Sequence, residues 1–185
     1  MSTEVDTKAF ERAGLASSLA TAQLRAADAR LAADVEPGAE QLAVVVLHVP
    51  QLMPGLDTNL LVRLLVADDA VQLRQVEALI RSAQRRRESL FIPITVALEL
   101  EWVLRSRYGF AKSAIIEVFN GMLETREFDI QFEAAVEEAL YLFRESTADF
   151  SDCLHVGLCA AAERSPLLTF DSKAARIGGA RLLSD

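Results

Sequence analysis

Short apolar runs set among longer stretches of helical periodicity restrict most tightly what this 185-residue chain can fold into. Leu90-Phe91-Ile92 stops at Pro93, and further strand-like runs lie at 127–130, at 166–170 and at Arg181-Leu182-Leu183. Between them the spacing predicts helices at 58–67, from an Asp68-Asp69 cap through 87, at 96–107, 112–123, 132–145 and 149–164, and a short one at 172–177. Thr95 is the expected cap of the 96–107 helix and Gly109 its stop. Short apolar strands alternating with helices predict an α/β fold, with a central, mostly parallel sheet between helical layers. The run Leu167-Leu168-Thr169-Phe170 reads as a buried strand of that sheet.

The pattern begins at Met53, where Pro54-Gly55-Leu56-Asp57 reads as a short strand end. Residues 1–52 differ in composition, with 12 alanines and a single phenylalanine. A helix is expected at 7–34 and a strand at 42–47, but an alanine face buries little area. This segment is expected to be an extension outside the folded unit, which spans 53–185. A start codon assigned upstream of Met53 and a genuine lineage-specific extension both account for it.

Hydrophobic residues make up 51% of the chain, enough for a sizeable core. Lys and Arg number 19 against 27 Asp and Glu, a net charge of -8, which argues against binding nucleic acid through a uniformly basic surface. Phosphate can still be met through a metal ion. Two cysteines, Cys153 and Cys159, cannot build a disulfide framework or a four-thiolate zinc site. The apolar run 42–47 falls far short of the roughly 20 residues of a membrane span. No basic segment leading into an apolar one opens the chain, so a cytoplasmic protein is expected.

Acids at strand ends carry the chemical signal. Ligands of open parallel sheets bind beyond the carboxyl ends of the strands. Asp57 follows the first strand of the regular region and Asp171 follows 167–170, so both are expected in one crevice. Each is also suited to capping the helix after it. Glu99 has Val96, Trp102 and Val103 at helical neighbour positions and is expected on an apolar face, paired, protonated or bound to a cation. The bland alternative is a buried ion pair with an arginine such as Arg63. Glu101 stands four residues before Arg105, an ordinary surface pairing. Asp152 shares a helix face with Val156 and Cys159 and is expected to point inward, whereas Asp149 has the position of an N-cap.

Carboxylates gathered at one place repel one another unless a cation lies between them, and all-oxygen ligand sets suit Mg²⁺ or Mn²⁺. Such ions assist hydrolysis of phosphodiesters. His155 and Cys159 have zinc-ligand spacing but no second pair to complete a site, so core packing is the expected role. Arg81, Arg85, Arg86 and Arg87 form a basic cluster at a helix end, where a solvated face is the default. There is no Gly-rich phosphate loop and no nucleophile elbow.

Four motifs, Gly55-Leu56-Asp57-Thr58-Asn59, Leu98-Glu99-Leu100-Glu101-Trp102-Val103, Ala148-Asp149-Phe150-Ser151-Asp152 and Thr169-Phe170-Asp171, occur in this order. In content and spacing the region 53–185 resembles PIN-domain ribonucleases, specifically the VapC toxins of type II toxin–antitoxin systems. The resemblance implies a PIN-like three-layer fold and a Mg²⁺-dependent endoribonuclease, usually dimeric. It implies a VapB-type antitoxin as partner and transfer or ribosomal RNA as substrate class. It assigns Asp57, Glu99, Asp152 and Asp171 to catalysis and metal binding, adds Asp149 as a fifth ligand, and gives Asn59 and Thr169 supporting roles. Two other functions fit the residues: a PIN-type nuclease of RNA processing outside any toxin–antitoxin pair, and a binding module whose acids serve a protein interface.

Overall fold

The computed structural model describes residues 54–184; the helix expected at 7–34 and the strand expected at 42–47 lie outside them. In chain order the elements are α1 (Thr58–Val66), α2 (Ala70–Arg86), β1 (Leu90–Ile92), α3 (Ile94–Tyr108) and α4 (Lys112–Glu124). They continue with β2 (Phe128–Ile130), α5 (Glu133–Glu145), α6 (Phe150–Ala161), β3 (Leu167–Thr169), a 3₁₀ turn (Ala174–Arg176) and β4 (Ala180–Leu182). Every helix and strand expected between 58 and 184 is present, with small shifts at the ends, while the strand end expected at 54–57 amounts to a single bridge.

All strand pairing among the described residues is parallel. Leu90, Phe91 and Ile92 of β1 stand opposite Phe128, Asp129 and Ile130 of β2. On the other side of β1, Gly55 bridges to Phe91, with Leu56 N–H donating to the Phe91 carbonyl (2.8 Å) and Phe91 N–H to the Pro54 carbonyl (3.0 Å). β3 and β4 form a second parallel pair, Leu167 opposite Ala180 and Thr169 opposite Leu182. The expectation of a buried strand at 166–170 is corrected here: Leu168 is 50% exposed and Phe170 82%. The run is apolar, but among the described residues no layer covers its outer face.

The core fills the space between β1, β2 and the helices. Leu61, Leu64 and Leu65 of α1 meet Leu100 and Leu104 of α3, while Phe119, Phe143 and Phe150 pack where α4, α5 and α6 come together. The Phe119 and Phe150 rings lie 5.2 Å apart, and Phe143 meets Phe150 edge-on at 5.7 Å. α5 and α6 approach closely because α6 carries Gly157: a Cβ there would lie 2.5 Å from the Ala135 carbonyl oxygen of α5.

The helix ends follow local chemistry. Asp69 caps α2, accepting from Val71 and Gln72 N–H, and these bonds hold its carboxyl below the usual range. Gly109 closes α3 in the left-handed conformation. Thr95 does not cap α3, which begins at Ile94 behind Pro93; the Ile94 N–H is instead met by the Gln131 side chain (3.1 Å). The end of α2 matches its basic cluster, with Arg81 near Glu77 and Arg86 paired to Glu88, so it forms a solvated face. Among the described residues no helix is long and apolar enough to cross a membrane.

Candidate active site

Where the chain leaves its bridge to β1 and enters α1, it borders a cleft of about 510 Å³ between α1 and α3. Asp57 stands at this entrance. Its Oδ1 accepts the Leu60 N–H (3.0 Å), capping α1, while Oδ2 has no hydrogen bond to a described residue. Capping and a place in the cleft are therefore compatible. Thr58, buried next to it, donates its hydroxyl to Glu99 Oε2 at 2.5 Å and so ties the start of α1 to the middle of α3. Asn59 is exposed and lines the same cleft.

Glu99 requires a correction of the expected environment. It lies in the cleft as expected of a site residue, but it is exposed, and the face it shares with Val96, Trp102 and Val103 is the cleft wall. The core face of α3 is Ala97, Leu100, Glu101 and Leu104. α3 is apolar on almost every side, so spacing alone does not distinguish its inner face from its outer one. Glu101 is accordingly no surface residue: it is 3% exposed and accepts from Arg105 Nε at 2.8 Å. The expected i, i+4 pair exists, turned inward at its acidic end, and Glu101 raises the Arg105 pKa. Arg63 does not pair with Glu99; it binds both oxygens of Asp68 (2.6 and 2.7 Å) and Gln72 Oε1 (2.7 Å), and the Tyr108 hydroxyl donates to Asp68.

The remaining acids belong to α6 and the turn after β3. Asp149 occupies the expected N-cap position of α6 but makes no capping hydrogen bond there. Asp152, half-buried in the first turn, has its pKa raised by burial first and then by the negative charges of Asp171 and Asp149. These three acids thus act on one another. Asp171 is exposed; its Oδ1 accepts the Lys173 N–H (2.6 Å), and its own N–H donates to Thr169 Oγ1 (2.9 Å), so Thr169 fixes the turn that presents it. His155 is exposed, not packed in the core as expected, and Cys159 is partly buried.

The acids therefore stand in two linked groups, Asp57 with Glu99 through Thr58, and Asp152 with Asp149 and Asp171. No hydrogen bond between described residues joins the groups, and no three His, Cys, Asp or Glu side chains among the described residues converge into a formed cation site. The donor chemistry nevertheless suits a hard divalent cation, being carboxylate oxygen throughout. The repulsion that raises the Asp152 pKa is what a cation between these acids would relieve.

Sequence reading gave no role in the site to four further groups of the cleft lining: Trp102 (54% exposed), Arg107, Tyr108 and the Arg63–Asp68 pair. The available signal was the spacing itself, because Trp102 stands three residues after Glu99 and a helix presents such positions on one side.

Comparison with known proteins places this geometry in context. A family model described as PIN domain matches residues 56–180. The chain is similar to a VapC ribonuclease of Aquifex aeolicus (strain VF5), 28% identical over 102 residues, covering 55% of this chain and 75% of that protein. No solved structure matches it.

Proposed function

Because this chain belongs to the PIN-domain family, we propose that it is an endoribonuclease of the VapC kind, the toxin of a type II toxin–antitoxin pair, hydrolysing RNA phosphodiesters with Mg²⁺ or Mn²⁺. The observation that carries the reading is the cleft in which Asp57 and Glu99 are held together through Thr58, in a chain similar to a VapC ribonuclease. The nuclease unit is assigned to residues 53–185, with residues 1–52 an extension.

In this reading Asp57 and Asp152 are the main metal ligands, Glu99 and Asp171 complete the acidic set, and Asp149 is a fifth member. A bound divalent cation would supply charge neutralisation at the phosphate and a water of lowered pKa. The chain's own groups do the positioning. The Thr58 hydroxyl engages Glu99 Oε2 and so holds that oxygen toward α1, with Oε1 the oxygen remaining for a ligand. The Leu60 N–H performs the same service at Asp57 Oδ1. Asp152 holds a proton more readily than an ordinary aspartate, first through its burial and then through its two acidic neighbours, so cation binding and deprotonation at this carboxyl are coupled. Asn59 supports the α1 side of the site and Thr169 the Asp171 turn.

The partners in this reading are a VapB-type antitoxin, a second copy of the chain in a homodimer, and RNA of the transfer or ribosomal class, met in the cytoplasm. Total RNA incubated with the purified protein in Mg²⁺ or in EDTA, beside an Asp57→Asn variant, tests the reading. Discrete products that vanish with EDTA and in the variant are expected. Intact RNA with a folded, antitoxin-free wild type would overturn it.

A further inference from the structure

The cleft holds two groups that a cluster of carboxylates does not account for. Trp102 projects from α3 one turn after Glu99 and is 54% exposed, although indole is among the most costly side chains to leave in water. Arg107, in the last turn of α3, lines the same space and makes no hydrogen bond or ion pair with another described residue. The other cation of the lining, Arg63, has its charge engaged by both oxygens of Asp68. Three valines, Val62, Val96 and Val103, share the wall with the indole, and the rest of the lining is polar: Asp57, Thr58, Asn59, Glu99, Asp68 and Tyr108.

An exposed aromatic in a wall that is mostly polar, beside a cation with no partner among the described residues, is poorly suited to a protein anchor, whose centre is apolar and well packed. It suits a nucleotide. The flat face of a base covers an indole, its polar edges meet hydroxyl, amide and carboxylate groups, and the adjoining phosphate needs a cation. At about 510 Å³ the cleft is of the size that holds small ligands, roughly 300–1,000 Å³.

We propose that Trp102 is the stacking platform for an unpaired base of the RNA beside the scissile phosphate, and that Arg107 binds a backbone phosphate of the same strand. The proposal rests on the ribonuclease reading and adds to it two substrate-binding residues outside the acidic set, Trp102 for a base and Arg107 for a phosphate. A regular duplex, its bases stacked on each other, presents no face to the indole.

Trp102 is the one tryptophan in the chain, so all indole emission reports from this position. The Asp57→Asn variant, whose Asn retains the helix cap, is titrated in Mg²⁺ buffer with a short single-stranded oligoribonucleotide of mixed sequence and with the same sequence as a duplex. Saturable quenching by the single strand and little by the duplex is expected. With end-labelled RNA, Trp102→Ala in this background weakens binding about 10- to 100-fold, the range of one base–aromatic stack, and Trp102→Phe recovers most of it. Arg107→Ala lowers the slope of log affinity against log salt by about 0.7, one phosphate contact on a single strand. Binding with unchanged indole emission, equal quenching by the duplex, or full affinity in Trp102→Ala overturns the proposal. EDTA-sensitive cleavage by the wild type would then still stand, leaving the ribonuclease reading in place. A protein that neither binds nor cuts RNA takes both down.

Discussion

Gly157 offers a quantitative test of how α6 is seated. It is buried on the α5-facing side of α6, and an added Cβ would lie 2.5 Å from the Ala135 carbonyl oxygen and 3.3 Å from its carbon. Both are backbone atoms within a helix, so no side chain can swing aside; the two helices must separate. Overpacking of this kind costs about 1–3 kcal/mol. Replacing Gly by Ala inside a helix returns about 1 kcal/mol of propensity. With a contact this short and both partners backbone, the upper end of that range applies, so the balance for Gly157→Ala is a loss of about 2 kcal/mol; at about 2–4 °C per kcal/mol for a chain of this size, Tm falls by about 4–8 °C. Scanning calorimetry of the two proteins at one pH and ionic strength measures it. A Tm equal to or above that of wild type would mean that propensity alone governs the position and that the close approach of α5 and α6 is wrong. Since the first turn of α6 carries Asp152, the variant is also expected to cut RNA more slowly than wild type well below its Tm.

Asp152 links site and stability. Its folded-state pKa is raised by burial, Asp171 and Asp149, so the native state binds this proton more tightly than the unfolded chain does. The carboxyl therefore becomes increasingly destabilising as pH rises from the unfolded-state value of about 3.9 through the folded one. Asp152→Asn is expected to raise Tm at pH 7 while abolishing cleavage, and the gain in Tm should fade below a pH of about 4; a gain independent of pH would refute the charge argument. Arg105→Ala strands the Glu101 carboxylate, 4% exposed, without its partner and should lower stability by about 1–3 kcal/mol in denaturant titration. Glu101→Met should cost less, because the guanidinium left behind is 48% exposed; equal losses would contradict this asymmetry. Phe150→Ala empties the space between Phe119 and Phe143 and should cost about 3–5 kcal/mol by the same measurement.

Local chemistry made much of this molecule legible in the sequence. Between residues 54 and 184 the alternation of strands and helices, the Asp69 cap and the Gly109 stop depend on residues close in the chain, and they were readable there. So was the parallel character of the sheet, since long helical crossovers leave little alternative. The acidic positions were readable for a related reason: Asp57 and Asp171 mark strand-to-helix turns that the apolar pattern locates.

What the sequence could not settle is which way near-symmetric surfaces face. On α3 both sides are apolar enough to be core, and its packing against α1, α4 and α6 decides that Leu100, Glu101 and Leu104 go inward while Glu99 and Trp102 line the cleft. The run 167–170 is apolar enough for a buried strand, yet β3 is partly exposed, because burial belongs to the neighbours an element meets and not to its composition. Nor could spacing foresee that Thr58 would reach Glu99 across 41 positions, or that Asp152 would feel the charge of Asp171. Periodicity and capping residues along the chain specify the elements, their order and the kind of chemistry carried at their ends. Tertiary structure decided which carboxylates meet, which aromatic is left facing solvent beside them, and so where a substrate can lie, because those outcomes rest on contacts between residues far apart in the chain.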